Sequence, residues 1–464
     1  MKSNAQQPTD ENILNTFLSD TIGRSKDVLQ FISLLNAIDD SYSIALDGNW
    51  GSGKTFFVKQ TIIVLNALNE SITSYDSEES DKIRKYLQMT QRKEPQIEVQ
   101  PFVSCYYNAW ANDNDVDPVL SLTYSILQCA ETDYSFEKGP DFIRVLASIA
   151  EFFTGLKANA IIDALKSKDP LSSIIANKDI LNSVNEFLES LLPEQGNRLL
   201  IFVDELDRCK PSYAVQMLER IKHYFSNDRV TFVFSINMNE ILHTIKRYYG
   251  SEFDGSRYLD RFFDMRISLP PADMRRFYQQ LGIDNGRSWV FEGVCKAVIE
   301  EFRFELREIL RFYQQAKIAA YRPTHGNNNR FGFSDGKAEH FCLLCVVPIM
   351  IGLKISNLAR YNSFVQGNDD TPLYDVLKGN RLAMGMLGSL LSQNETYSEK
   401  KSDQDIVVYL QDKLSEVYNA LFNNDYTAGV HTLRIGEMSF DKDTRKRLLE
   451  IVNLWSEYAD FDIY

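Results

Sequence analysis

The sequence has little cysteine, little histidine and no excess of basic charge, and each shortage argues against a class of protein. Its six cysteines are scattered along 464 residues, which predicts reduced thiols rather than a disulfide scaffold. Cys342 and Cys345 have zinc-like spacing, but no second pair follows, so we interpret them as two thiols in an apolar helix. The five histidines show no ligand spacing, and no nuclease, protease or deaminase motif is present. A net charge of −14 argues against a surface built mainly for nucleic acid, although it does not exclude a local basic groove.

Long apolar runs are also absent from the sequence. The longest run, Phe341–Leu353, is too short to cross a bilayer and contains Pro348. The polar residues Met1–Asn12 predict no signal peptide. Hydrophobic content of 44% and charged content of 25% are ordinary for a soluble protein. We therefore expect a cytoplasmic protein of two or three domains that does not contact a membrane.

One segment, Gly48–Thr55, fits the phosphate-binding pattern G-x-x-x-x-G-K-[ST] at every required position. A short apolar strand, Tyr42–Asp47, precedes it, and an apolar-rich helix follows it. Glycines let the backbone bend around phosphate, and the helix adds free N–H groups and the positive end of its dipole. Lys54 is expected to reach the β- and γ-phosphates of a nucleotide, and the Thr55 hydroxyl to bind Mg²⁺. The predicted nucleotide contacts are Gly48, Asn49, Trp50, Gly51, Ser52, Gly53, Lys54, Thr55 and Phe56.

An acidic pair follows a second apolar strand, Leu199–Val203. The strand delivers Asp204 and Glu205 at its carboxyl end, the edge at which open α/β sheets bind ligands. Asp204 suits the role of a Walker B carboxylate that holds Mg²⁺ through water. Glu205 is placed to polarise the attacking water. Together with the P-loop, the pair predicts hydrolysis of the nucleotide rather than binding alone.

Two candidates lie near the ends of later strands. Asn237 follows an apolar strand, where it would orient the water or sense the γ-phosphate, or would simply end the strand. Arg261 precedes a short strand at Met265–Leu269. Related ATPases carry an arginine finger there, which acts within the subunit or on a neighbouring one. The alternative for Arg261 is a salt bridge to Asp260 or Asp264.

The pattern from Ala272 onward is helical almost throughout. Arg307 and Arg311 lie four residues apart on one predicted helical face. One of them would reach the nucleotide from a helical lid, unless both belong to a solvated basic face. We predict a P-loop domain at 1–272 with a helical insertion at about 131–190, a lid-like helical subdomain at 273–360 and a helical region at 361–464.

Several motifs together resemble the KAP family of P-loop ATPases, over about residues 15 to 315. The matching segments are Asp20–Arg24, Gly48–Thr55, Tyr107–Trp110, Asp204–Cys209, Tyr258–Asp264 and Leu306–Phe312. The resemblance implies ATP binding and hydrolysis on an α/β core, with a parallel sheet of the additional-strand type flanked by helices. Members usually carry Asp-Asp at the position of Asp204 and Glu205, and many have transmembrane helices between the two motifs. No apolar stretch within 131–190 is long enough here to cross a membrane, so this chain looks like a soluble member.

We expect an ATPase that uses Mg-ATP to drive a conformational or assembly change, with the helical C-terminal half contacting a protein partner or other copies of the chain. Bacterial members of the family are frequently associated with exclusion of phage, which suggests a defence role by analogy only. Two alternatives stay open: a phosphotransferase, and a slow ATP-gated scaffold or sensor. The long helical extension argues against a compact kinase, and Glu205 argues mildly against the scaffold.

Overall fold

The computed structural model describes most of the chain in two compact units, Met1–Met274 and Arg275–Tyr464. The described residues are 7–69, 78–90, 99–115, 117–134, 149, 182–192, 198–225, 227–283, 290–325, 335–391, 403–423 and 431–453. Most of the predicted insertion at 131–190 lies outside them. The unit boundary falls two residues from the predicted one, and the further division at residue 360 stays a prediction.

Five parallel strands form the sheet of the first unit, in the order β2-β3-β4-β1-β5. Their bounds are β1 Tyr42–Asp47, β2 Phe102–Asn108, β3 Arg198–Asp204, β4 Val230–Ile236 and β5 Met265–Ser268. Strand β4 pairs with β1 on one side and with β3 on the other. The P-loop strand and the strand of the acidic pair are therefore separated by an additional strand, which confirms the predicted sheet type.

Burial explains which strands are central. Every residue of β3 and β4 is buried, as expected for parallel strands covered on both faces, which appear as continuous apolar runs. Strand β2 begins at Phe102, directly after Pro101, and lies at an edge of the sheet. Proline cannot donate to the ladder, which is consistent with a strand that starts after Pro101 and lies at the edge. The other edge strand, β5, has only four residues and alternates in exposure.

Helices cover both faces of this sheet. Their bounds are α1 Asp10–Leu18, α2 Ser25–Asn36, α3 Lys54–Leu68, α4 Glu78–Thr90, α5 Pro118–Tyr134, α6 182–190, α7 Pro211–Tyr224, α8 Met238–Tyr249 and α9 Gly255–Leu259. Alternate residues of β3 point to opposite faces. Leu199 and Ile201 join the hydrophobic cluster that includes α5 and α7, whereas Leu200 and Phe202 join the cluster that includes α1 to α4. The sheet is thus the middle layer of three.

The second unit is mostly helical, as predicted. Its helices are α10 Met274–Leu281, α11 Val290–Glu301, α12 Leu306–His325, α13 Gly336–Phe341, α14 Val347–Ser356, α15 Leu358–Val365, α16 Thr371–Leu377, α17 Arg381–Leu391, α18 Asp403–Phe422 and α19 Thr444–Asn453. One hairpin interrupts them, β6 Thr432–Ile435 with β7 Met438–Asp441. Gly436 begins its two-residue turn with φ +61°, a conformation that glycine adopts without a steric penalty. The helical prediction was wrong at these ten residues.

Helices α13 and α14 are joined by a π-helical segment, Cys342–Val346, into one continuous helix. Pro348 lacks the N–H that would bond to the carbonyl four residues earlier, which accounts for the bulge just before it. Among the described residues, this 21-residue helix, Gly336–Ser356, is the one that is long and apolar enough to cross a membrane. It extends beyond the apolar run seen in the sequence. However, 72% of its apolar window is buried in the fold, as in the core helix of a soluble domain.

Candidate nucleotide site

The P-loop lies between the carboxyl end of β1 and the start of α3. Gly51 and Gly53 have φ of 84° and 95°, which side chains other than glycine rarely adopt. The Lys54 ammonium donates to the carbonyl oxygens of Gly48, at 2.5 Å, and Asn49, at 3.1 Å. Burial lowers the pKa of Lys54, and the nearby Arg208 adds to this, while neighbouring carboxylates oppose it. The loop therefore holds its lysine folded against its own backbone.

The two sequence motifs meet at one carboxylate oxygen. The Thr55 hydroxyl donates to Asp204 Oδ2 at 2.7 Å, and the Tyr106 hydroxyl donates to the same oxygen at 3.0 Å. Asp204 is 1% exposed. Burial, together with this carboxylate, raises the pKa of Tyr106, so its hydroxyl stays a donor.

The oxygens of Thr55 and Asp204 fit Mg²⁺. This ion prefers hard oxygen ligands and is commonly held by one or two carboxylates with substrate phosphates. Among the described residues, no group of three or more His, Cys, Asp or Glu side chains forms a metal cage. A site with so few protein ligands suits an ion that arrives with a nucleotide.

Glu205 follows Asp204 in a left-handed conformation, with φ 61°. Both of its carboxylate oxygens are engaged. Arg208 Nη1 lies 2.8 Å from Oε1, and Asn108 Nδ2 donates to Oε2 at 3.2 Å. The 3₁₀ turn Leu206–Arg208 produces the first contact, since the Arg208 N–H donates to the Glu205 carbonyl at 3.1 Å.

A tryptophan of the P-loop is bonded to the turn after the acidic pair. Trp50 Nε1 donates to Asp207 Oδ2 at 2.5 Å. Asp207 is 5% exposed, and its burial raises the pKa of the carboxyl, while the Trp50 donor, Lys54 and the Asn237 N–H lower it in part. The Arg208 guanidinium lies 5.9 Å from the Trp50 ring centroid and 5.5 Å from that of Trp110.

The family of the chain follows from a comparison with protein-family models. Residues 24–289, more than half of the chain, match the P-loop domain of the KAP family. The chain belongs to the KAP family of P-loop NTPases. A comparison with curated proteins gives no match. Among solved structures, the chain is similar to the Aeropyrum pernix ORC2 protein in its ADPNP and ADP complexes, at 13% identity and a TM-score of 0.31, over 85% of this chain and 95% of that one.

Other residues of this KAP domain support the site without having been given a role from sequence. Arg24, 4% exposed, donates from Nη1 to the Ser52 carbonyl at 2.7 Å and so supports the P-loop from the preceding segment. The sequence placed Arg24 and the Tyr107–Trp110 segment only within family motifs, and it gave Tyr106 no role. Their partners are 28 or more positions away along the chain, so local pattern alone did not assign them a function.

Asn237 lies at the strand tip, as predicted, but its side chain serves a local purpose. Its Oδ1 accepts from the N–H groups of Asn239, at 3.0 Å, and Glu240, at 3.3 Å, and so caps helix α8. Its backbone N–H faces Asp207. This arrangement favours the strand-ending interpretation of the side chain, and a sensor role stays a prediction.

Of the three predicted arginines, Arg261 lies in the first unit, apart from the acidic pair, and the other two belong to the second unit. Arg261 is exposed, and neither proposed partner holds it, since Asp260 pairs with Arg266 at 2.5 Å and Asp264 accepts from the Ser43 N–H at 2.9 Å. Arg307 and Arg311 are exposed on α12 of the second unit. Their roles at the nucleotide stay predictions.

Replacing Trp50 by Phe is expected to lower the free energy of unfolding at pH 7 by about 1.5–3 kcal/mol, the usual worth of a hydrogen bond to a charged group. The change removes the donor to buried Asp207, so the pKa of that carboxyl rises further above its unfolded value. The loss in the free energy of unfolding should be largest above the folded-state pKa of Asp207 in the variant. It should shrink as the pH falls below the folded-state pKa of Asp207 in the wild type, because the carboxyl is then protonated in both proteins. Urea unfolding at a series of pH values measures it.

Trp110→Phe is the matched control, because this exposed ring also lies beside Arg208 but its Nε1 makes no hydrogen bond to another described residue. An equal loss in both variants, or a loss independent of pH, would contradict the role of the Trp50–Asp207 bond.

Proposed function

We propose that this chain is an ATPase that hydrolyses Mg-ATP to drive a conformational or assembly change in a larger complex. Lys54 and the P-loop backbone bind the phosphates, Thr55 and Asp204 hold Mg²⁺, and Glu205 activates the attacking water. When bound, Mg²⁺ neutralises phosphate charge and orients the phosphoryl group. The remaining proposed site residues are Phe56, Asn237, Arg261, Arg307 and Arg311.

The contact between Thr55 Oγ1 and Asp204 Oδ2 supports this proposal best. It brings together, at 2.7 Å, two groups that are 149 positions apart in the sequence. A Ser/Thr hydroxyl and a Walker B Asp are the pair that holds Mg²⁺ in P-loop NTPases. Glu205 follows Asp204 directly in the chain, so the proposed water-activating carboxylate stands beside the proposed metal ligands.

Release of inorganic phosphate from Mg-ATP, with no acceptor added, tests the proposal. Substantial release counts against the phosphotransferase, which would need an acceptor for the γ-phosphate. Lys54→Ala serves as the binding-deficient control. If Lys54→Ala and Glu205→Gln both release phosphate at the wild-type rate, the proposal is rejected.

Replacing Thr55 by Val is expected to raise the Mg²⁺ concentration needed for half-maximal turnover by roughly tenfold, comparable to the loss of one supporting contact in a metal site. The valine methyl cannot supply the hydroxyl oxygen that lies beside Asp204 Oδ2. Titration of Mg²⁺ at fixed ATP measures the effect, and Thr55→Ser, which keeps the oxygen, should restore it. An unchanged Mg²⁺ requirement in Thr55→Val would remove Thr55 from the metal site.

The wider role is proposed from the domain organisation and the family. The helical second unit would transmit the nucleotide state to a protein partner or to other copies of the chain. The setting would be the bacterial cytoplasm, in defence against phage. Light scattering with and without Mg-ATP measures the assembly step, and an unchanged mass would count against self-assembly.

A slow ATP-gated switch is the second candidate. The observation that favours it is the engagement of both Glu205 oxygens, by Arg208 at 2.8 Å and Asn108 at 3.2 Å. A carboxylate held in this way is poorly placed to activate water, so turnover would be slow until the contact is broken. Single-turnover measurements separate a slow chemical step from slow product release.

A further inference from the structure

Five side chains form one cluster beside the P-loop: Glu205, Arg208, Asn108, Trp50 and Trp110. We call them the base cluster. Three separate segments contribute to it, namely the P-loop, the end of β2 and the turn after β3. Trp50 of the P-loop and Glu205 therefore share a neighbour, the Arg208 guanidinium.

The Glu205–Arg208 ion pair is partly withdrawn from water. The side chains are 16% and 23% exposed, and their atoms approach to 2.8 Å. Solvent screens the attraction within such a pair less than it screens a pair on the open surface. The short turn also fixes where the backbone of Arg208 lies relative to that of Glu205, three positions earlier in the chain. The contact is thus built into the backbone conformation that presents Glu205.

The two tryptophans hold the guanidinium in place. Its carbon lies 5.9 Å from the Trp50 ring centroid and 5.5 Å from the Trp110 ring centroid, within the range of cation–π attraction. Trp50 and Trp110 are nevertheless 45% and 51% exposed. Because an arginine is held between two exposed rings, a change of partner for Arg208 requires no rearrangement of the hydrophobic core.

Arg208 also lies within electrostatic range of the phosphate-binding lysine. Its charge is among those that act on the Lys54 ammonium. A nucleotide places several negative charges beside Lys54, and these attract the guanidinium in competition with Glu205. Arg208 can therefore interact either with the phosphates of a bound nucleotide or with the Glu205 carboxylate.

We propose that Arg208 is a positioning residue: it keeps the Glu205 carboxylate in an idle ion pair until the phosphates of a bound nucleotide draw the guanidinium away. This inference rests on the proposed ATPase function and adds its regulation. Arg208 acts through Glu205, and the Trp50–Trp110 pair sets how readily it leaves.

Arg208→Met tests the inference by removing the charge while keeping an unbranched side chain of similar shape near the backbone. We expect kcat for phosphate release to rise between about fivefold and thirtyfold, equivalent to about 1–2 kcal/mol, with KM for ATP changed less than about threefold. A residue with a purely structural role would lower kcat or raise KM instead. The matched control is Arg220→Met, which breaks another partly buried ion pair, to Asp117 at 3.0 Å, that includes no residue of the base cluster. Its kcat should equal that of the wild type.

A folded Arg208→Met protein with kcat equal to or below the wild-type value overturns the inference. If the variant does not fold, Trp110→Leu at an exposed position replaces it and should show a smaller gain in kcat. No gain in that folded variant also overturns the inference.

Fluorine NMR provides a readout that does not depend on turnover. The four tryptophans are labelled with 5-fluorotryptophan, and Trp110→Phe assigns the Trp110 signal. A non-hydrolysable ATP analogue with Mg²⁺ should shift that signal in the wild type and not in Arg208→Met, which has no cation to move. Equal shifts in both proteins would reject the inference. If neither protein releases phosphate above the Glu205→Gln blank, the ATPase proposal fails, whereas the fluorine signal still reports on Arg208 separately.

Discussion

Glu205→Gln is expected to lower kcat for ATP hydrolysis by roughly 10²–10⁴-fold, the usual contribution of a positioned general base. Glutamine has the same shape and can still accept the hydrogen bond from Asn108, but it cannot take a proton from water. Asp204 and Thr55 are unchanged, so Mg²⁺ and nucleotide should still bind. Phosphate release gives the rate, and a fluorescent ATP analogue gives the affinity.

Comparison with Lys54→Ala separates chemistry from binding. That variant should lose affinity for the analogue, whereas Glu205→Gln should retain it. A Glu205→Gln protein that hydrolyses ATP at the wild-type rate would show that another group activates the water. If the variant behaves as expected, it holds the ATP-bound state. Mass spectrometry of the proteins that co-purify with it would then identify the partner.

Arg261→Ala is expected to reduce kcat by roughly 10³–10⁵-fold if Arg261 is an arginine finger. Its position favours action on a neighbouring copy over action within its own subunit. Arg261 precedes β5 at the amino-terminal edge of the sheet, where the Asp264 N–H bonds to the Ser43 carbonyl at 2.8 Å. The P-loop begins at Gly48, after the carboxyl end of β1. At roughly 3.3 Å per residue the two points are about 16 Å apart, well beyond the reach of an arginine side chain. We therefore expect an arginine finger at Arg261 to act on a neighbouring copy.

Mixing two inactive variants tests this arrangement. Arg261→Ala retains Glu205, and Glu205→Gln retains Arg261, so mixed assemblies should recover part of the wild-type rate at interfaces that combine both. Arg257→Ala, a similarly exposed arginine on α9, should keep the wild-type rate. Full activity of Arg261→Ala alone, or no recovery on mixing, would reject the finger in trans.

Much of the first unit was predictable because its signals are local. A P-loop needs glycines at fixed positions, and the positive φ angles of Gly51 and Gly53 confirm why. Buried parallel strands appear as unbroken apolar runs, so β1 was found with the observed bounds and β4 was found as the apolar strand that precedes Asn237. The hairpin at β6 and β7 was missed because its two strands have only four residues each, too few to show a clear period of two.

Contacts between distant segments could not be predicted in the same way. Asn237 illustrates this, because its position at the strand tip followed from the sequence, whereas the use of its oxygen to cap α8 depends on how the chain turns after β4. The position of Arg261 followed from a motif, but its place at the far edge of the sheet depends on the pairing of β5 with β1. Such pairings are set by the packing of the whole layer.

The sequence by itself determined that this chain carries a P-loop ending in Lys54 and Thr55 and an acidic pair at a strand end, because backbone bending and strand burial are encoded over a few neighbouring residues. Only the tertiary structure decided what surrounds Glu205. The order of the strands brings Asn108, at the end of β2, and Trp110, just after it, to the turn that holds Arg208. These side chains meet because parallel strands align their carboxyl ends at one edge, and that alignment depends on sheet register rather than on local pattern.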